Sequence, residues 1–132
     1  MKKLIACGLP LLVAVPIVMQ FLGPETANPP EDPAATFAAV AKPPAEVMNV
    51  IGRGCRDCHT NRTAWPWYSR IAPAPFLVAR GVAIGRANLN FSQWRGISPE
   101  VTALRMTEAC IEVTRGDMPL PRYLPAHPEA KL

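Results

Sequence analysis

The length of 132 residues predicts one domain, and 16 prolines predict a loop-rich one without long uninterrupted helices. The formal charge is +4, and eight arginines fall between Arg53 and Arg105 against only two acids. This excess indicates either a solvated basic face or a surface for an acidic partner. Because no basic and aromatic residues interleave in the manner of RNA-binding proteins, we expect no nucleic-acid partner.

The N-terminal residues are strongly apolar. Two lysines precede a run from Leu4 to Gly23 in which Gln20 is the one strongly polar side chain. A helix of this length spans about 30 Å, the thickness of a bilayer core. With the lysines on the cytoplasmic side, residues 1–23 are predicted to be an uncleaved membrane anchor that places the rest of the chain outside. A cleaved signal peptide, which would leave a secreted domain, is the alternative.

Residues 24–44 differ in composition from the run before them. Four prolines and three acids fall within residues 24–33. This composition predicts an extended, polyproline-like linker that buries no core and holds the next domain off the bilayer. The alanine-rich stretch 34–41 can add a helical turn. Residues 45–132 are left as the folded domain.

The central motif of that domain is Cys55-Arg56-Asp57-Cys58-His59, which reads C-x-x-C-H. This is the attachment pattern of a c-type haem, in which two thiols add across the vinyl groups and the histidine binds the iron. A helix with apolar Val47, Val50 and Ile51 on one face is predicted to lead into the motif and to end at the glycines before it. Arg56 and Asp57 are expected to face solvent.

Three other kinds of site use paired cysteines. A structural zinc site needs four ligands, and the remaining candidates, Cys110 and His127, match no standard spacing. A thioredoxin-like pair needs a βαβ context, and the flanks show no strand pattern. A disulfide between Cys55 and Cys58 would be strained by its short loop. The pattern therefore favours one haem c, held covalently by Cys55 and Cys58, with His59 as an iron ligand.

Aromatic residues follow the motif at Trp65, Trp67 and Tyr68. We expect them to wall the porphyrin, with at least one indole N–H or phenol hydroxyl bonded to a propionate. Their burial as ordinary core aromatics is the alternative. The carbonyl of Pro66 or Pro73 is the candidate partner for Nδ1 of the ligating histidine.

Seven short motifs are spaced along the chain: Gln20–Phe21, Asn28–Pro30, Cys55–His59, Trp65–Tyr68, Ile71–Pro73, Gly85–Arg86 and Leu89–Trp94. In these motifs the chain resembles the small bacterial haem-binding domain family, whose members are exported or membrane-anchored and carry one C-x-x-C-H. The resemblance implies a mono-haem, c-type cytochrome-like domain and no particular partner. Members of this family usually continue into a further helix that ends in tryptophan, so we expect either a shortened chain or a domain without this closing helix.

Two more helices are predicted. The first runs from Pro75 to Arg86, and its glycines, Gly81 and Gly85, permit close approach to the haem or to another helix. The second starts with a Ser98 cap and Pro99 and ends at Gly116. The spacing of its apolar residues predicts that one face of this helix points inward, with Cys110 as a small buried residue. The residues of this face are Ala103, Leu104, Met106, Cys110, Ile111 and Val113.

Met118 lies in the loop after this last helix and precedes a proline. C-type cytochromes use this arrangement for the distal iron ligand, because a loop lets the thioether reach the iron from the face opposite the histidine. The resemblance supports the match. Met106 and His127 are the rival residues for this position, and an ordinary packed methionine is the other reading.

Together these inferences predict an all-α, cytochrome c-like domain around one covalent haem, preceded by a transmembrane helix. We expect electron transfer at the outer face of the bacterial cytoplasmic membrane, with a redox protein as partner. We expect no enzyme, because no acid–base pair or substrate pocket is recognisable. A haem sensor or a peroxidase-like accessory, with an open or displaceable sixth ligand, is the alternative.

Overall fold

The structure, a computed structural model, describes Leu12 and residues 14–132. This part of the chain is all-α, as predicted, with six α-helices and no strand. The helices are α1 (residues 14–21), α2 (Phe37–Ala41), α3 (Ala45–Gly54), α4 (Arg56–His59), α5 (Ala74–Asn88) and α6 (Pro99–Arg115). Short 3-10 helices lie at Pro33–Ala35, Trp67–Arg70, Leu124–Ala126 and Pro128–Ala130.

Most of the predicted anchor, including both lysines, lies outside the described residues. Its last part is α1, whose apolar side chains are largely exposed, as at Ile17 (54%) and Val18 (55%). Among the described helices, none combines the length and the apolar character needed to cross a bilayer. The anchor therefore stays a prediction.

Residues 24–33 bury no side chain, as expected from their composition, but the segment 24–44 still contributes to the core through Phe37. Phe37 is only 3% exposed, and its ring packs edge-on against Trp94 with centroids 4.8 Å apart. The backbone amide of Phe37 also donates to the carbonyl of Phe91 at 2.7 Å. The composition of the segment describes its average polarity, whereas one aromatic residue is enough to attach it to the domain.

Polar contacts hold the extended part of the same segment. The Glu31 carboxylate pairs with Arg62 and accepts a hydrogen bond from Ser92. Asn28 donates its side-chain amide to the carbonyl of Thr63 at 3.0 Å. Residues 28–37 therefore lie along the domain.

Helix α6 has the predicted ends but not the predicted inward face. Ser98 Oγ accepts from the amide of Val101, and Gly116 ends the helix at φ 78°. No residue of α6 is buried, Leu104 is 57% exposed, and Cys110 is exposed. The prediction that Cys110 is buried in an inward stripe is therefore wrong. The helix faces a cavity with a partly polar side, which an apolar-stripe pattern does not reveal.

Candidate functional site

A cavity of about 640 Å³ lies between α4 and α5 on one side and α6 with its following loop on the other. Cofactor pockets commonly have volumes of roughly 300–1,000 Å³. Four predicted site residues line this cavity: Cys55, Cys58, His59 and Met118. The fold thus brings the C-x-x-C-H motif and the methionine of a distant loop to one place.

The motif forms a single helical turn directly after α3. The amides of Cys58 and His59 both donate to the carbonyl of Cys55, at 3.2 and 2.9 Å. This turn presents both sulfur atoms and the imidazole from five consecutive residues. Cys55 and Cys58 are free thiols, so the disulfide alternative is not found.

Gly85 lets α5 pack directly on this turn. A Cβ at position 85 would lie 2.5 Å from the carbonyl oxygen of Cys58 and 3.1 Å from its Cβ. No side chain fits at that distance, so the close approach requires glycine. The prediction that a glycine of this helix permits close approach is confirmed at Gly85.

The imidazole of His59 is oriented by the backbone. Nδ1 lies 2.9 Å from the carbonyl oxygen of Leu89, and the amide of Phe91 donates to the carbonyl of His59 at 2.8 Å. A proton on Nδ1 leaves Nε2 as the nitrogen that can bind a metal. The prediction of Pro66 or Pro73 as the partner is wrong, because it is the chain leaving α5 that returns beside the motif.

Arg86 stabilises the chain that leaves the motif. Its guanidinium donates to the carbonyl of Thr60 at 2.8 Å, to Thr63 Oγ1 at 2.8 Å and to Asn28 Oδ1 at 2.9 Å. One side chain on α5 therefore ties together the end of the motif and the N-terminal segment. Burial lowers the pKa of this guanidinium, and the neighbouring Cys58 opposes that shift.

Asp57 is bonded within the site, so the expectation that it faces solvent is wrong. Its Oδ2 accepts from the Tyr123 hydroxyl at 3.1 Å, and its Oδ1 accepts from the amide of Ala64 at 3.2 Å. Tyr123 lines the cavity and stacks on His127, with ring centroids 3.9 Å apart. Burial and then the Asp57 charge raise the pKa of Tyr123, so the phenol remains a protonated donor.

Both motif thiols stay protonated at neutral pH. Burial, with a smaller contribution from Cys58, raises the pKa of Cys55 to about 11. Burial and the Asp57 carboxylate raise the pKa of Cys58, and Arg86 and Arg122 act against them.

Met118 is positioned by the end of α6. The left-handed conformation of Gly116 turns the chain, and the amides of Asp117 and Met118 both donate to the carbonyl of Glu112, at 3.0 and 3.2 Å. These bonds hold the start of the loop against the helix end. The Met118 side chain is then half-buried at the cavity.

Neither rival residue for the distal position lies at the cavity. His127 Nε2 is 2.8 Å from the Tyr68 hydroxyl, and its Nδ1 is 3.2 Å from Glu129. Met106 packs against the apolar cluster around Trp94. Met118 is thus the residue of the three that lines the cavity.

The aromatic residues after the motif do not line the cavity. Trp67 is 75% exposed, Tyr68 contacts His127, and Trp65 is half-buried away from the lining. The structure therefore does not support their assignment as walls, because the 3-10 helix that carries Trp67 and Tyr68 packs elsewhere on α5. Phe91 and Tyr123 supply the aromatic lining instead.

The donor set fits a haem better than a zinc ion. No group of three or more His, Cys, Asp or Glu side chains in the described residues is arranged to hold a metal. The cavity offers two thiols, one imidazole, one thioether and two guanidinium groups, from Arg105 and Arg122, together with the carboxylates of Asp57, Glu108 and Glu112. The thiols match the vinyl groups of a haem, the imidazole and thioether match its iron, and the guanidinium groups match its propionates.

An all-α fold with a C-x-x-C-H turn in such a cavity defines a small haem-binding domain. A family model described as a haem-binding domain matches residues 14–132, so the chain belongs to the haem-binding domain family. The resemblance seen in the sequence is confirmed over nearly the whole chain. Neither the curated proteins nor the solved structures contain a significant match.

Proposed function

We propose that this haem-binding domain is a mono-haem c-type cytochrome that carries electrons. The observation that carries the proposal is the meeting of Cys55, Cys58, His59 and Met118 at one cavity. The bound haem supplies an iron that accepts and donates one electron. The residues of the chain then have to attach it, fill both axial positions and keep water away.

Cys55 and Cys58 would attach the haem covalently, each S–H adding across one vinyl group with the sulfur bonded to one carbon and the hydrogen to the other, so no oxidant or reductant is needed. His59 binds the iron through Nε2, because its Nδ1 proton is held by Leu89. This carbonyl fixes the ring orientation and makes the imidazole a better ligand.

Met118 would bind the iron through its thioether. Its loop is held to α6 by the bonds to Glu112, which favours a permanent ligand over a displaceable one. A thioether opposite an imidazole raises the reduction potential relative to two imidazoles. With both positions filled, electron transfer is favoured over the sensor or peroxidase-like alternative.

Arg105 and Arg122 are the proposed partners of the haem propionates. Both line the cavity, and no carboxylate within ion-pairing distance of either is found among the described residues. Guanidinium groups bind carboxylates through paired, charge-assisted hydrogen bonds. Their charge would fix which edge of the haem points toward α6.

We place the domain at the outer face of the bacterial cytoplasmic membrane, held by the predicted anchor over residues 1–23. The exposed apolar side chains of α1 support this location, because they continue the apolar run into the described part of the chain. A redox protein is the proposed partner. Secretion after cleavage of the first residues is the alternative location.

The attachment is tested by expressing the full chain with a haem-attachment system and staining the denatured protein for haem. We expect the stain to persist in the denatured wild type and in Cys110→Ala, which alters an exposed thiol. It should be lost in the double variant Cys55→Ala/Cys58→Ala. Haem that leaves the wild type on denaturation would rule out covalent attachment.

The axial ligands are tested by the spectrum of the oxidised protein. We expect a low-spin wild type with the weak far-red band of sulfur–iron ligation, and loss of that band in Met118→Ala. Met106→Ala is the control, since Met106 packs in the core and should leave the band unchanged. A high-spin wild type that binds carbon monoxide would contradict electron transfer and support the sensor.

A further inference from the structure

The polar residue within the N-terminal apolar run is bonded to the haem domain. Gln20 Nε2 donates to the carbonyl of Arg70 at 2.8 Å, and its Oε1 accepts from the amide of Ala72 at 2.9 Å. These two bonds clamp the backbone on both sides of Ile71. The end of α1 is thereby joined to the connection between the 3-10 helix Trp67–Arg70 and α5.

Exposed apolar side chains lie near this junction along the chain, on both of the segments that it joins. Trp67 is 75% exposed and Ile71 is 54% exposed on the domain side, and Leu77 is 72% exposed in the first turns of α5. Phe21 (85%) and Leu22 (68%) follow Gln20 on the other side. We call these five residues the apolar platform. An exposed patch of large apolar side chains is typical of an interaction site.

We propose that the apolar platform rests in the headgroup region of the bilayer, so that Gln20 fixes the orientation of the haem domain on the membrane. This inference depends on the proposed anchor over residues 1–23. The headgroup region is roughly 5–8 Å thick in each leaflet. Gln20 lies three residues, about 4.5 Å of helical rise, before the end of the run at Gly23, so the backbone bonded to its side chain lies at the boundary between the hydrocarbon core and this layer. The domain then lies directly on the bilayer, rather than beyond a spacer formed by residues 24–44.

The chemistry of the platform suits a lipid surface. Tryptophan with an exposed indole is enriched at membrane interfaces, where one edge is apolar and the other is hydrated. The neighbouring Arg70 and, one turn beyond Leu77, Arg80 are both exposed. Their charges would attract anionic phospholipid headgroups.

A protein partner fits this face less well than lipid does. The two bonds of Gln20 hold the platform at the end of an apolar helix, so a docking protein would have to displace lipid at that point. Leu77 also lies one helical turn before Gly81, which lines the haem cavity. The proposed orientation therefore puts the Gly81 end of the cavity close to the membrane surface.

The test uses the full haem-loaded chain in vesicles that contain phosphatidylglycerol. A photo-crosslinking residue is placed at one position at a time, as Trp67→benzoylphenylalanine and Leu77→benzoylphenylalanine. The matched control is Leu104→benzoylphenylalanine, which alters an exposed apolar residue on α6 outside the cavity lining. Lipid adducts are quantified by mass spectrometry after sedimentation of the vesicles.

We expect several-fold more lipid adduct at positions 67 and 77 than at position 104. Equal adduct at all three positions, or none at 67 and 77 in a chain that sediments with the vesicles, would overturn the platform while leaving the anchor intact. A chain that does not sediment with vesicles would overturn both. In membranes from the native host, a protein adduct at position 67 in place of lipid would show that the face docks a protein.

A second variant tests the role of Gln20. Gln20→Leu keeps the run apolar and removes both bonds to the domain. We expect this variant to sediment with vesicles as the wild type does and to lose most of the lipid adduct at position 67. An unchanged adduct at position 67 would show that Gln20 does not fix the orientation.

Discussion

Nδ1 of His59 lies 2.9 Å from the carbonyl oxygen of Leu89. The amide of Leu89 in turn donates to the carbonyl of Gly85 at 2.9 Å, and Gly85 itself touches the carbonyl of Cys58. The final turn of α5 therefore sets both the position of the cysteine turn and the orientation of the proposed iron ligand. A change at this contact should disturb both together.

Gly85→Ala tests that contact. Because the new methyl group would meet backbone atoms of Cys58, we expect the free energy of unfolding to fall by about 1–3 kcal/mol and less haem to be attached. Chemical denaturation and the ratio of haem to protein measure the two effects. Gly52→Ala is the control, since its Cβ would meet nothing within 4 Å. Because alanine has a higher helix propensity than glycine, the free energy of unfolding of this variant should rise by about 1 kcal/mol. Equal behaviour of the two variants would contradict the packing argument.

Arg86→Ala should loosen the chain after the motif. The variant loses three hydrogen bonds from one guanidinium, so we expect the free energy of unfolding to fall by roughly 2–4 kcal/mol. Denaturant titration of the haem-loaded protein is the measurement. Arg80→Ala, an exposed arginine of the same helix, should change stability by less than about 0.5 kcal/mol. If the free energy of unfolding fell no more in Arg86→Ala than in Arg80→Ala, Arg86 would not stabilise the chain after the motif.

Phe37→Ala should show that residues before 45 belong to the folded unit. Loss of a buried phenylalanine typically costs about 3–5 kcal/mol. Thermal unfolding followed by circular dichroism should therefore give a clearly lower midpoint. Val40→Ala, which alters a 40% exposed residue of α2, is the matched control and should have little effect. If Phe37→Ala were as stable as the control, the packing on Trp94 would contribute nothing.

Alkylation of the haem-free chain tests the environment of Cys55. Burial raises its pKa from 9.0 to about 11, so at pH 8 the thiolate fraction should be about 100-fold lower in the folded than in the denatured chain. The rate should rise with pH until about 11 when folded and level off near 9 when denatured. Since the folded state binds the proton more tightly, stability of the unlinked chain should fall as pH rises between these values. If the alkylation rate had the same midpoint pH in the folded and the denatured chain, burial of the Cys55 thiol would be contradicted.

Alkylation of the haem-loaded protein distinguishes the two motif cysteines from Cys110. Thioether bonds would remove both motif thiols, so denaturation should leave Cys55 and Cys58 unreactive while Cys110 remains alkylated. Peptide mass spectrometry identifies the modified positions. Alkylation of Cys55 in the denatured, haem-loaded protein would mean that this thiol is not linked.

Local signals predicted the features that depend on neighbouring residues. The Ser98 cap and Gly116 bounded α6, and a C-x-x-C-H turn following a helix was foreseen, because capping and helical periodicity act within a few residues. The family resemblance also held, because its motifs are spaced along the whole chain. Met118 lines the same cavity as His59, and its role as a haem ligand stays a prediction.

The predictions from sequence were wrong where a residue contacts another residue that is distant in the sequence. Phe37 packs on Trp94, Leu89 holds His59, and Tyr123 bonds Asp57, and no local pattern reports such pairs. Cys110 was predicted to be buried because apolar spacing defines a stripe on α6 but not which side meets the domain. The exposure of Trp67 likewise depends on how its 3-10 helix sits on α5.

The sequence alone determined the all-helical class, the haem-binding family and the motif that carries the cofactor chemistry, since these follow from residue identity and short spacings. Only the tertiary structure decided which backbone carbonyl orients His59 and that Met118, rather than His127, reaches the cavity. It also decided that Gln20 joins the apolar helix to the domain. Each of these depends on atoms brought within about 3 Å across long stretches of chain, where close packing and directional hydrogen bonds select the partner.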